Sequence, residues 1–420
     1  MSQENRATIF YGWIVLSFGF LALFATLGIR NSFGAYVTIW EDTFVVSRTM
    51  VATISTLSLV VYGLGQPFAG RLIDRWGGRL VISISLALVG IALMLSAFAT
   101  SFWQLLLLYG LVASLGFSGA SNTTVTALVS RWFEKNRGRA LGIVMAGISA
   151  GPLLLVPVTF FLIDLINWRW TLFSLGVAIG LVLAPLSYLF IRSTPEEKGL
   201  LAYGQTKEDV RARGGVSSQP YRVQDILSSK FFWLLAIPFF VCGFTDLGLI
   251  FTHLIPFVEE KGISRQLASV IISVIAIFSI LGSILSGYLS DRMHRGKQLA
   301  IIYGFRGLTF IVLMLADSPA LFFTFAVLFG ITEVAAIAPS SALCARLFGT
   351  QSVGVVIGFV SLCHQIGGAV GAFLPGLLYD LFGSYQYSFF IALGLLIFSA
   401  LLVSRAPDTE RPSVSSAQEV

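Results

Sequence analysis

Charge is scarce in this sequence. Only 11% of its 420 residues are Asp, Glu, Lys or Arg, whereas soluble domains carry about 25%. Histidine and cysteine are scarcer still, three of each. Cys242, Cys344 and Cys363 sit singly in apolar runs, without CxxC or His-rich spacing, which argues against a disulfide framework or a zinc site. No nucleophile stands beside a base and no glycine loop suits a phosphate, so neither an enzyme nor a metal or cofactor is expected. What fills the chain instead is apolar material, 56% of residues, with a mean hydropathy of +0.86. These values describe a polytopic membrane protein.

A helix needs roughly 20 apolar residues to cross a bilayer. Such runs lie near 10–37, 50–70, 80–99, 103–130, 138–163 and 170–191, and again near 231–258, 267–289, 298–316, 320–346, 352–379 and 386–404. Ten-residue alternation is absent, so a barrel is excluded and the fold class is all-α. The expected organisation is a six-helix bundle over 1–191, a polar linker over 192–230 with a short helix near Val223–Leu227, a second bundle over 231–404, and a Ser-rich tail over 405–420. The polar start lacks a cleavage site after a short apolar core, so the first run is read as a retained span.

Lysine and arginine crowd alternate loops, leaving only Arg48, Arg169, Lys261 and Arg265 in the others. By the positive-inside rule both termini and the linker face the cytoplasm. The net charge of +6 follows from that topology and is no argument for nucleic acid binding.

One charged stretch interrupts the apolar runs, GRLIDRWGGR from Gly70 to Arg79. It recurs half a chain later as GYLSDRMHRGK from Gly287 to Lys297. Gly142 and Gly151 recur at nearly the same spacing as Gly358 and Gly367, and Trp13 and Gly28 as Trp233 and Gly248. A shared offset makes the chain two pseudo-symmetric six-helix bundles of the same topology.

The repeated loop and the 6+6 arrangement resemble the major facilitator superfamily. FYGW at Phe10–Trp13 and RWFEKNRGRALGIVMAGISAG at Arg131–Gly151 resemble its monocarboxylate and oxalate/formate porter branch. The resemblance implies a secondary active transporter working by alternating access as a monomer, in a bacterial cytoplasmic membrane, with a small-molecule substrate and a proton as partners. It also implies that the loops close the cytoplasmic side, through Gly70, Arg71, Asp74, Arg75 and Arg79 and through Gly287, Asp291 and Arg292. Small residues of span five are expected to pack tightly against span eight.

An ionisable residue inside a span is a functional candidate by default. The family places spans one, four, seven and ten around the cavity. Arg30 and Asn31 offer a fixed cation for a carboxylate. Asp246 and His253, two helical turns apart, and Glu333 are candidates for proton coupling. Tyr36, Asn122, His253, His364 and Gln365 are further candidates for lining the substrate site, whereas Arg306 in peripheral span nine is expected to be structural. Porters of the branch carry an arginine in span eight, but here Ile277–Ser286 has no basic residue and Ser283 stands near its place. A proton-coupled organic acid carrier is therefore weighed against a proton/solute antiporter exporting amphipathic compounds and, behind both, a receptor on a transporter scaffold.

Overall fold

The computed structural model describes residues 10–133, 137–204, 223–290, 292–348 and 353–407. Among them the secondary structure is helical, apart from one bridge between Phe133 and Tyr203. Eleven stretches are long and apolar enough to span a bilayer. The longest, Arg139–Phe190, turns back at Asn167 (φ 64°, ψ 168°) and so crosses twice. Asn167 makes the turn workable because its Oδ1 accepts from the backbone N–H groups of Arg169 (2.9 Å) and Trp170 (3.3 Å), which start the next helix.

The twelve resulting crossings are α1 (Gly12–Phe44), α2 (Arg48–Gln66), α3 (Arg75–Ser96), α4 (Phe102–Trp132), α5 (139–166), α6 (168–190), α7 (Lys230–Glu260), α8 (Arg265–Ser290), α9 (Arg295–Met314), α10 (Pro319–Cys344), α11 (Val356–Phe382) and α12 (Gln386–Val403). The backbone turns at Gly77 (φ 81°), close to the start of α3, and the predicted linker helix is present as Val223–Ser228. Large apolar side chains cover the outside, including Phe161, Ile284, Leu381, Phe390 and Leu401, each more than half exposed. A soluble protein would not carry so much exposed apolar surface; hydrocarbon is its natural solvent.

The repeated glycines explain the packing. A Cβ on Gly151 of α5 would come within 2.9 Å of the Gly28 nitrogen of α1, so these two backbones touch. Gly248 of α7 meets Gly371 of α11 in the same way. This corrects the expectation for span five: its glycines lie against α1 rather than α8. Two facing glycines let the α1 and α5 backbones touch, with Leu23, Val144 and Leu155 packed around them, whereas α5 meets α8 through ordinary side chains, such as Ser273 donating to the Leu153 carbonyl at 3.0 Å. The first six helices meet the last six through α5–α8 and through α2–α11, where Thr56 donates to the Ala369 carbonyl at 3.2 Å.

FYGW and RWF, far apart in sequence, meet at the end of the bundle that carries the basic loops. Phe10 and Trp13 pack edge-on against Trp132 and Phe133 with ring centroids 5.1–5.9 Å apart. The Tyr11 hydroxyl donates to the Phe190 carbonyl at 2.7 Å, tying α1 to the end of α6.

Candidate functional site

Halfway along the bundle, Arg30 near the end of the regular turns of α1 points into the interior and is only 9% exposed. Its guanidinium lies 4.0 Å above the Tyr62 ring of α2 and donates to Gln365 Oε1 of α11 at 3.1 Å. Among the described residues no carboxylate pairs with it. The contrast with the other interior arginine is informative. Arg306 of α9, fully buried, donates to the main-chain carbonyls of Thr332 and Glu333, to Thr332 Oγ1 and to Cys242 Sγ, and so is satisfied within its own bundle.

Arg30 and Asn31 line a largely enclosed cavity of about 80 Å³ together with Ser149 of α5, Leu247 and Phe251 of α7, and Glu333 of α10. A buried cation without a counter-charge is costly unless something supplies one. The cavity is where an anion can do so.

Beside this cavity, α7 widens into a π-helical turn over Phe244–Ile250, a distortion that frequently accompanies function. It holds Asp246 toward α11, where the carboxylate lies 3.6 Å from His364 Nε2 and 3.6 Å from Cys242 Sγ. The donor atoms of Cys242, Asp246 and His364 all fall within 4.8 Å of one another, which is close enough for a metal ion. The Arg306 guanidinium, 3.0 Å from Cys242 Sγ, already brings a fixed positive charge to that cluster, so we read it as an ion-pair network. His364 and Gln365 are neighbours on α11, so the network lies one residue from the side chain that holds Arg30.

His253 lies elsewhere. It is fully buried near the opposite end of α7, with Nε2 donating to the Ala372 carbonyl (2.7 Å) and Nδ1 facing the Tyr385 hydroxyl (3.1 Å). Both ring nitrogens are therefore occupied by structural contacts, away from the Arg30 cavity. Tyr36 is buried and stacked on Trp40 at 5.1 Å, also outside that cavity. Asn122 is exposed beside Thr123, which bonds Gln66 of α2.

Sequence reasoning missed the network at the end remote from the basic loops. Arg48, at the start of α2, bonds both Glu41 oxygens (2.6 and 3.0 Å) and reaches across to Glu260 of α7 and the Tyr385 hydroxyl (3.2 Å), with its guanidinium 4.1 Å above the Tyr379 ring. Thr49 bonds Asp380 of α11 through its backbone N–H (2.9 Å) and its hydroxyl. Arg265, at the start of α8, bonds Glu259 (2.7 Å) and reaches back to Thr38 of α1 (3.0 Å). Arg48 and Arg265 occupy equivalent positions in the repeat, as do the acidic residues before them. That symmetry was the available signal.

The basic-loop end is different. A Cβ on Gly70, Gly142, Gly287 or Gly358 would meet nothing within 4 Å. Arg79 bonds the Tyr188 carbonyl (2.8 Å) and stacks on the Tyr188 ring, Arg71 faces Phe68 (5.9 Å), and Arg292 faces Tyr288 (3.8 Å), all within their own half of the chain. Arg75 is exposed. Asp291 lies outside the described residues, as does the Asp74 side chain. Among the described residues, the ties between the two halves just named thus lie at the Arg48 end, and the basic-loop contacts named here stay within one half.

Comparison with known proteins agrees with this architecture. The family model described as Major Facilitator Superfamily matches residues 18–320 and 306–419. The chain is 26% identical over 379 residues to the uncharacterized MFS-type transporter YcxA of Bacillus subtilis, covering 89% of this chain and 90% of that one. It is 25% identical over 433 residues to human monocarboxylate transporter 12, covering 97% and 83%. In fold it is similar to a bacterial homolog of the human lysosomal transporter Spinster, crystallised inward-facing and unoccupied, with a TM-score of 0.73, 16% identity, and coverage of 98% of this chain and 100% of that one. Twelve helices with a repeated basic loop, matched by one family model over nearly the whole length, show that the chain belongs to the major facilitator superfamily.

Proposed function

We propose that this transporter carries a small organic anion of the monocarboxylate class by proton-coupled alternating access. The observation that carries the reading is Arg30, a guanidinium buried at mid-bundle against a cavity, with no carboxylate partner among the described residues. A bidentate carboxylate complements it in charge and shape. The similarity to human monocarboxylate transporter 12 supports the same class. Small size is favoured over amphipathic export because drug-sized ligands occupy cavities of about 300–1,000 Å³, whereas this one holds about 80 Å³.

The bundles 1–191 and 231–404 rock about this cavity. With the basic loops on the cytoplasmic side, we read the arrangement as inward-open, with the Arg48 and Arg265 networks as the outer latch. Both termini then face the cytoplasm. Closing the inner side brings together the loops at Gly70–Arg79 and Gly287–Lys297.

Proton coupling runs through Asp246 and His364. Gain or loss of a proton between them changes the charge on α7 and α11 next to Gln365, and hence the hold on Arg30. Arg306 through Cys242, and Glu333 from α10, are the other charged groups facing this pair.

Uptake of labelled short-chain acids into proteoliposomes, with and without an inward proton gradient, tests the reading. Accumulation driven by the gradient is expected, lost in Arg30→Gln and made gradient-independent in Asp246→Asn. Uptake that ignores the gradient in the unmodified protein would remove the coupling, and unaltered uptake by Arg30→Gln would remove the anchor.

A further inference from the structure

Glu333, which faces the Asp246–His364 pair, has no part in holding the anion in that reading. It lines the same enclosed cavity as Arg30, and among the described residues its carboxylate forms no ion pair. The Arg306 guanidinium donates to the main-chain carbonyl of Glu333 at 2.7 Å rather than to its carboxylate, which feels Arg306 and His364 only at longer range. One small space in the membrane interior therefore has a cation on one wall, from α1, and an acid on another, from α10. Leu247 and Phe251 of α7 complete it with apolar surface.

We propose that the substrate is a small zwitterion, a carboxylic acid with an ammonium or guanidinium group a few carbons away. The inference rests on the anion reading and narrows it. A simple carboxylate would satisfy Arg30 but would add negative charge beside Glu333, in surroundings where charges interact strongly. A zwitterion meets Arg30 with its carboxylate and Glu333 with its cation, leaving the closed site without an unpaired charge. Its methylene chain would lie against Leu247, and a cation near the Phe251 ring is further favoured. Discrimination then comes from the acid in the site, which favours a solute that carries the cation over one that lacks it.

Matched pairs that differ only in the amino group test this directly. Equilibrium binding of radiolabelled γ-aminobutyrate and butyrate, and of β-alanine and propionate, would be measured on the purified full-length protein in nanodiscs. The amino acids are expected to bind at least about tenfold more tightly than the acids. Glu333→Gln should erase or invert that ratio, Glu333→Asp should keep its direction, and Arg30→Gln should abolish all binding. A monodisperse gel-filtration profile and an unshifted Tm identify variants that remain folded. If the unmodified protein binds the acids as well as the amino acids and Glu333→Gln leaves the ratio unchanged, the zwitterion inference fails while the anion reading stands. If no probe binds, or Arg30→Gln binds as the parent does, the anion reading fails and takes the inference with it.

Discussion

Replacing Glu260 with Gln should open the end of the bundle that Arg48 now holds closed. The change removes the charge that Arg48 meets across the interface and keeps the size of the side chain. The pair is partly buried, with side-chain exposures of 10% and 29%. A hydrogen bond to a charged group contributes about 1.5–3 kcal/mol, and exposed ion pairs only about 0.2–1 kcal/mol. A value of about 1–2 kcal/mol suits a pair between these limits, which raises the open population roughly 5- to 30-fold. Arg48 retains Glu41 and Tyr385, so the helix ends themselves should stay folded. Ser55 provides the readout. It lies beneath the latch, 8% exposed, with its hydroxyl 3.2 Å from that of Thr252. In a Ser55→Cys background, alkylation by an impermeant maleimide from the Arg48 side should accelerate by that factor when Glu260→Gln is added. If the rate does not change, Glu260 does not hold this end closed. Acceleration by Glu260→Asp equal to that by Glu260→Gln would likewise count against the charge as the cause.

Three further outcomes follow from particular contacts. Gly248→Val should lower Tm and yield, because its side chain has no room against Gly371 and overpacking costs about 1–3 kcal/mol; Gly358→Ala, which meets nothing within 4 Å, should leave Tm unchanged while slowing turnover if that end must close. Val45→Asn should raise Tm, since Val45 is 90% exposed and sits at φ 52°, where a β-branched residue is disfavoured by about 1–2 kcal/mol. His253→Asn should lower Tm, by loss of the bonds to Ala372 and Tyr385, yet keep the proton-gradient dependence of uptake, and loss of that dependence would return His253 to the coupling path.

The fold was legible because lipid imposes a strong rule on sequence. Each crossing must be a long apolar helix, so twelve spans and the short helix after the linker could be placed closely. The repeat added the pairing of halves, and the glycines at 28, 151, 248 and 371 marked where backbones touch. Which helix each glycine touches was not legible, since spacing shows a smooth face but not its partner, and span five was assigned to span eight on that account. At the candidate site, rarity picked out Arg30, Asp246 and Glu333, because a charge in mid-span stands out. Partnership did not show in the sequence. His253 was a candidate for coupling as well as lining and His364 for lining alone, whereas their contacts differ the other way, His253 lying against a main-chain carbonyl and a tyrosine hydroxyl and His364 against Asp246. The Arg48 latch was overlooked because loop charges are common, and only its repetition at Arg265, with acids before both, distinguishes it from solvated surface.

The central claim is that Arg30 is a buried cation awaiting an anion, and ligand-dependent thermal stability measures this directly. Arg30→Met removes an uncompensated buried charge and replaces it with apolar volume, so the Tm of the unliganded protein should hold or rise. The stabilisation that a saturating small carboxylate or amino acid gives the unmodified protein, about 2.7 kcal/mol at one hundred times its Kd, should vanish in Arg30→Met and persist in Val45→Asn. A ligand-induced shift in Arg30→Met equal to that of the unmodified protein would contradict the account.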